Sequence, residues 1–265
     1  SNGQGAVLVG EEWAEILKWT DDYVAAAVSV SNTDRAISVV VNTSIKKPTL
    51  ETEDEVLNEL FDVSVDVAIA SVMTDRQGRR YLRAGERYDN PARTYYRDSY
   101  WTSGLLLMIE PTIIKDQIII LAEGVGENGS VPSALTLDND ADQNPLWIDH
   151  HDSGPYLVMM VHDYIAWTGN EQILNEMIDG RSLYQILEST LDHLAGLDTD
   201  GNLLPEKPED SLQDWLDSIP RGGEVFYNQV LYYRALSLMK DLAALQGNED
   251  ESTSYARKAS LVRYQ

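Results

Sequence analysis

Two stretches of this 265-residue chain, WTSGLLLMI at 101–109 and GPYLVMMVHDYIAW at 154–167, are apolar nearly all the way round at helical spacing. A helix without a polar face has to be enclosed by other helices. An inner ring of helices wrapped by an outer ring supplies that environment, and so does a simple bundle. The rest of the chain keeps the same period. The pattern predicts helices over about residues 53 to 73, 99 to 110, 111 to 124, 153 to 169, 171 to 194, 223 to 247 and 250 to 264. The connectors GENGS, TGNE and DTDGN carry the Gly, Asn and Asp that turns need. Helices alternating with short turns imply stacked antiparallel hairpins, an all-α fold. Near the start, EEWAEILKWTDDYVAAA places Trp13, Ile16, Leu17 and Tyr23 at helical steps, and AISVVVNTSI reads as a short β-branched strand. Residues 1–50 are therefore expected to hold an N-terminal helix and a connecting segment, and residues 51–265 the main domain.

Charge narrows the partners. With 44 acidic against 20 basic residues the net charge is −24, which argues against nucleic acid and anionic membrane, because both require lysine and arginine patches. A neutral or cationic ligand fits better. The absence of cysteine excludes disulfides and thiolate metal sites. No apolar run approaches the ~20 residues that span a bilayer, and the leading SNGQG has none of the character of a signal peptide. Compartment and oligomeric state stay open.

Three segments carry chemistry. In TYYRDSYW (94–101), Asp98 and Ser99 suit the capping of a helix that begins near Tyr100. Capping does not explain why Tyr95, Tyr96, Tyr100 and Trp101 surround them, nor what partners Arg97. Flat rings beside a bidentate charged pair hold sugars, with ring faces stacked and hydroxyls bonded to carboxylate and guanidinium, so a carbohydrate site is expected at this helix start. DHHDSGPYLVMM (149–160) repeats the arrangement, with His150, His151, Asp152 and Ser153 at the mouth of an enclosed helix. Adjacent histidines on an extended segment point opposite ways and have no further ligand at a useful spacing, so local hydrogen bonding is the better reading than zinc. Between these segments, DNDADQNPLWID sets Asp138, Asp140, Asp142 and Asn144 at alternate positions. It lacks the central glycine and final glutamate of an EF-hand loop and reads as a solvated acidic border. No metal and no cofactor is expected.

The third segment, LLPEKPEDSLQDWLDSIPRGG (203–223), crowds Glu206, Glu209, Asp210, Asp214 and Asp217 around Trp215. Like charge and desolvation together raise a carboxyl pKa and leave an acid able to donate a proton near neutrality. Cleavage of a glycosidic bond needs such a donor and a second carboxylate. The plainer alternative is an acidic surface loop.

From about residue 54 to 263, the order of LNELFDVSVDVAIASVMTDRQGRRYLRAG, YYRDSYW, HDSGPYLVMMVHDYIAWTGNEQIL, DWLDS and NQVLYYRALSLMKDLAAL resembles the six-hairpin glycosidase superfamily. The resemblance is to the amylo-α-1,6-glucosidase domain of glycogen-debranching enzymes first and to trehalases second. It departs from these at Asn170, where the family has aspartate, and at Arg97, where a trehalase has tryptophan. It implies an (α/α)6 barrel, incomplete in this chain because the helix pattern stops at SYARKASLVRYQ. It further implies an inverting glycoside hydrolase acting on an α-glucoside without a cofactor. Asp217 is then the general acid, and Arg97, Asp98, Asp152 and Ser153 hold the terminal sugar. Trp101, Trp147 and Trp215 are stacking candidates from their chemistry. No match to the family's general base is found, and Glu206 or Asp210 is the alternative. The competing class is a helical array that binds oligosaccharide or a protein partner without cleaving it.

Overall fold

The structure, a computed structural model, describes residues 47–85, 92–137, 144–209, 211–216 and 218–265, together with the backbone of four earlier strands. The chain divides into two compact units, residues 1–65 and 66–265.

In the first unit β1 (Ala6–Val9), β2 (Glu12–Trp19), β3 (Val24–Ser29) and β4 (Ala36–Val41) form one antiparallel sheet in chain order. The helix expected at Trp13, Ile16 and Leu17 is corrected to strand, and Tyr23 lies outside the described residues. A register shift between Ile16 and Lys18 in the β2–β3 pairing explains the error. A bulge resets the two-residue alternation and leaves apolar residues at spacings that imitate a helical stripe. The strand read in AISVVVNTSI is β4. The helix α1 (Glu55–Ala70) follows, capped by the Asp54 carboxylate, which accepts from the Val56 and Leu57 amides at 3.0 and 3.1 Å.

The second unit is all-α in its framework, with short strand pairs between the helices. A hairpin of β5 (Val72–Thr74) and β6 (Arg80–Leu82) leads to β7 (Arg93–Tyr95), then α2 (Tyr96–Ile109) and α3 (Pro111–Glu123). Next come β8 (Ala134–Thr136) and β9 (Asn144–Leu146), which extend β7 into a three-stranded sheet, then α4 (Ser153–Thr168). A 3-10 turn at Glu171–Asn175 and the small pair β10 (Met177–Ile178) and β11 (Arg181–Ser182) precede α5 (Leu183–Ala195). A long loop then reaches α6 (Phe226–Leu245) and α7 (Glu249–Arg263). The single helix expected over 171–194 is thus corrected to a turn, a hairpin and α5. The cause is Asp179–Gly180, both at positive φ (48° and 83°), the pair that closes tight hairpins. Ser182 and Gln185 then restart the helix with a reciprocal capping box.

Among the described residues the packing is that of three consecutive hairpins, α2/α3, α4/α5 and α6/α7. The first member of each pair packs on the first member of the next, and α3 and α5 line the outside, which is the (α/α)6 toroid pattern. Alternate helices in such a pattern run parallel, so α2, α4 and α6 begin at the same end. Helix α4, flanked by both α2 and α6, buries Ser153 to Val161 without interruption, as its all-round apolar sequence requires. Helix α2 is not enclosed in the same way. It buries Tyr96, Ser99, Ser103, Leu106 and Leu107 and exposes Trp101 and Met108.

Buried polar groups hold this end together. Gln117 of α3 accepts from the Leu82 amide at 2.7 Å and donates to Thr94 Oγ1 at 3.0 Å, and Thr94 in turn lies 3.2 Å from Ser99 Oγ. The fully buried Tyr96 donates its hydroxyl to the Leu121 carbonyl at 2.7 Å. Together these contacts pin β6, β7 and α2 to α3. At the turn Gly126–Ser130, Gly129 has φ 82°, and a Cβ there would stand 1.9 Å from the Ser189 carbonyl oxygen of α5. Only glycine fits so close an approach.

Candidate active site

The first turns of α2 and α6 and the residue before α4 supply one cluster. Helix α2 starts a turn earlier than Tyr100, with Tyr95 as its cap residue and no side-chain cap, because Thr94 and Tyr96 are fixed as described above. Asp98 and Ser99 are therefore not caps. Asp98 is the third residue of the helix, where the positive end of the dipole favours a carboxylate. Arg97, beside it, donates to Asp152 Oδ2 at 3.1 Å and lies 3.6 Å from Asp98 Oδ2.

Asp152 is the hub. It has no exposed surface. Its Oδ2 accepts from Arg97 and from Tyr227 OH at 3.0 Å, and its Oδ1 lies 2.6 Å from His150 Nδ1. Because an ionised carboxylate only accepts, Nδ1 carries the proton. Burial opposes ionisation, but the His150 bond, the fields of His150 and Arg97 and the Tyr227 bond outweigh it. They hold Asp152 below the usual carboxylate range. Ser153, also buried, sets Oγ 3.5 Å from His150 Nδ1. His150, expected to hydrogen-bond locally, does so with Asp152, whereas Tyr227 is a partner of Asp152 that the sequence reading did not name. Tyr227 was hidden because nothing in Phe226–Tyr227–Asn228 differs from an ordinary helix start.

Asp98 has the opposite character. Its Oδ2 is buried with no hydrogen-bond partner, and burial pushes its pKa up, with Arg97 opposing and Asp152 adding to the rise. Rings border the pair. Tyr100 lies 5.2 Å from Trp101 and 5.4 Å from Tyr156, and Trp101 lies 6.2 Å from Tyr156. Tyr156 OH is 3.1 Å from Tyr227 OH. Trp101 is 68% exposed, an open ring beside a charged pair.

The loop between α5 and α6 reaches the same place through Trp215, whose ring meets Tyr227 edge-on at 6.0 Å and lies 6.0 Å from the Arg221 guanidinium. A buried ion triad shapes this loop. Lys207 donates to Asp214 Oδ2 at 2.6 Å, Arg221 donates to Asp214 Oδ1, and the Leu216 amide donates to Oδ1 at 3.0 Å. Burial works to raise the Asp214 pKa, but these donors lower it overall. Asp214 is thus a paired structural anion, which corrects its expected place in a crowd of mutually repelling carboxylates. The His151 amide bonds the Gln213 carbonyl at 3.0 Å, tying the loop to the segment before α4. Glu206 accepts from Thr199 at 2.6 Å. Asp217 and Asp210 lie outside the described residues, as do Asp138, Asp140 and Asp142 of the acidic border. Arg97, Asp98, Asp152, Ser153, Trp101 and Trp215 are brought together. Trp147, the residue after β9, stacks on Tyr95 with the ring centroids 6.2 Å apart.

Among the described residues, Asp200, Glu206 and Glu224 bring three carboxylate oxygens within 4.8 Å of one another. Asn202 donates its amide to both Asp200 and Glu224, which gives that exposed cluster a neutral partner. The paired histidines are used locally: His150 serves Asp152, and burial pushes His151 down to about 4.

No curated protein sequence matches the chain. Among solved structures, a metal-independent alpha mannosidase of Streptococcus pneumoniae, in a non-productive substrate complex with alpha-1,6-mannobiose, is similar with a TM-score of 0.54 at 13% identity. The match covers 77% of this chain and 57% of that one, so the chain spans little more than half of its neighbour's length. The hairpin packing agrees with the model of the bacterial alpha-L-rhamnosidase 6 hairpin glycosidase domain, which matches residues 46–265, and the chain belongs to that family of glycoside hydrolase domains.

Proposed function

We propose that the chain holds the terminal, α-linked sugar of a glycoside and supplies the acid that cleaves it. The observation that carries this reading is Asp98. A buried carboxylate oxygen without a hydrogen bond is costly, and this one, 3.6 Å from the Arg97 guanidinium and near an open tryptophan face, is satisfied by a sugar hydroxyl. Arg97 donates to a neighbouring hydroxyl, Trp101 and Trp215 take ring faces, and Asp152, enclosed by its donors, orients Arg97 and Tyr227 without touching the sugar. Asp217, two residues beyond Trp215 in sequence, is the general acid that protonates the leaving oxygen. A second carboxylate takes a proton from water as the water attacks the anomeric carbon from the opposite face, roughly 6.5–9.5 Å from the acid in an inverting enzyme. Of the two loop carboxylates considered for that role, Glu206 is engaged by Thr199 and clustered with Asp200 and Glu224, so Asp210 is the one to test.

The sugar is an α-glucoside on the strength of a motif order that resembles that of amylo-α-1,6-glucosidases and trehalases. The family match favours an α-L-rhamnoside as the second reading. The full chain is incubated with maltooligosaccharides, trehalose, an aryl α-glucoside and an aryl α-L-rhamnoside, beside Asp217→Asn and Asp210→Asn. Sugar released by the wild type and reduced about 10²–10⁴-fold in Asp217→Asn supports the acid assignment. Equal release by both removes it. Sugar binding with no release by any form favours a binding module instead.

A further inference from the structure

We infer that Trp147 is a second platform, seating the ring next to the one held by Arg97 and Asp98, so that the substrate is an α-linked oligosaccharide; this rests on the reading of Arg97 and Asp98 as the terminal-sugar pair. Exposure alone argues little, since isolated surface tryptophans are common. Trp167 is as exposed as Trp147, 57% in each case, and lies at the far end of α4 in ordinary helical backbone.

Trp147 differs in three ways. Its backbone has φ 51°, and Asp149 follows at 66°. Such values are uncommon for a bulky residue and persist only when the surroundings impose them. Here the Ser133 amide donates to both the Leu146 and Trp147 carbonyls, at 3.0 Å each.

The ring is also supported from beneath. The Arg93 guanidinium stands 5.7 Å from its centroid and the Tyr95 ring 6.2 Å, at 26° to its plane. Arg93 and Tyr95 alternate along β7 and so project from the same face of the sheet. One indole laid across both keeps its other face toward solvent, which agrees with its exposure.

Its position is the third difference. Tyr95 is two residues before Arg97, and Trp147 is five before Asp152, the residue that Arg97 bonds. Two contacts therefore link the segments, Trp147 to Tyr95 and Asp152 to Arg97, and the two residues from Tyr95 to Arg97 set the indole on the order of 10 Å from the ion pair. That is within reach of a neighbouring pyranose and too far to serve the same ring. Asp98 and Arg97 choose the terminal sugar, and Trp147, offering a flat face without directional donors, accepts the next ring whatever its hydroxyl pattern.

The test is calorimetric titration of the full chain in an Asp217→Asn background, so that bound ligand survives, with the methyl α-glycoside, α-linked disaccharide and trisaccharide of glucose, mannose and L-rhamnose. For the sugar recognised, the disaccharide binds about tenfold tighter than the methyl glycoside, the size expected for covering one ring face. Trp147→Ala abolishes that gain and leaves the methyl glycoside unchanged, Trp147→Phe retains part of it, and Trp167→Ala behaves as the parent. Equal binding of one ring and two, or a gain that survives Trp147→Ala in a protein with parental thermal melting, overturns the platform and leaves the terminal-sugar site standing. Loss of the methyl glycoside along with the disaccharide in Trp147→Ala and Trp147→Phe overturns it as well. Failure of every sugar to bind the parent overturns both readings.

Discussion

Asp98 and Asp152 are two carboxylates a few ångströms from the same arginine, and their surroundings give them opposite duties. Asp152 is saturated with donors; Asp98 has an oxygen to spare. Sugar affinity should therefore fall on acidification as Asp98 takes up a proton and stops accepting. The fall begins at higher pH than for an ordinary carboxylate, because burial raises the Asp98 pKa. Titration of the recognised methyl glycoside across pH checks this, with Asp98→Asn expected to bind weakly and lose that dependence. Removing the Tyr227 hydroxyl takes one charge-assisted bond from Asp152. Tyr227→Phe should lower kcat/KM by about 10- to 100-fold through the loosened Asp152–Arg97 pair and, as the loss of a buried bond to a charged group implies, lower the urea midpoint as well. The sequence named Arg97, Asp98 and Asp152 because charge amid aromatic residues before an apolar run is conspicuous. It could not reveal which aspartate is enclosed, since that depends on Tyr227, some seventy residues later and chemically unremarkable in its own segment.

Among the elements, the loop from Lys207 to Gly223 shows why some of the site was illegible. Read as a string, its acids repel one another; folded, Lys207 turns inward and Asp214 becomes the acceptor around which the loop closes. Lys207→Met strands a buried anion on one partner and should lower unfolding free energy by about 3–5 kcal/mol, measured by urea denaturation. Asp214 has a lowered folded pKa, so the stability it contributes is present above its unfolded value of 3.8 and is lost as pH falls through the folded value. A second check lies at the turn before β8. Gly129→Ala meets the α5 backbone and a positive φ at once, and should cost more than the ~1 kcal/mol of an ordinary glycine replacement. Helix existence was read well from periodicity, as α2, α3, α4, α6 and α7 show. Among the misread elements, β2 and β3 pair across a register shift and β10 and β11 close on an Asp-Gly turn, features on a scale below the window in which a helical period is recognised.

Across the whole molecule, charge and titration set conditions of stability. A net charge of −24 means self-repulsion among exposed acids, so added sodium chloride should raise the melting temperature through screening. A separate dependence comes from α5 and α7. There Glu188 faces Glu251 and Asp192, with Tyr184 donating to Glu251 at 2.7 Å and Tyr255 close by. Burial and these acids push Glu188 up to about 7 from 4.5. A raised folded pKa favours the folded state fully below 4.5 and loses that contribution as pH climbs to 7. Urea midpoints should fall across that interval, and Glu188→Gln should flatten the profile. The three parallel inner helices have a consequence of another kind. Since Asp152 lies beneath the floor of the cluster, locked by residues from α2 and α6 before any guest arrives, the rim above it can change independently. Diversification toward a new guest can proceed one rim side chain at a time, with the anchor inherited intact.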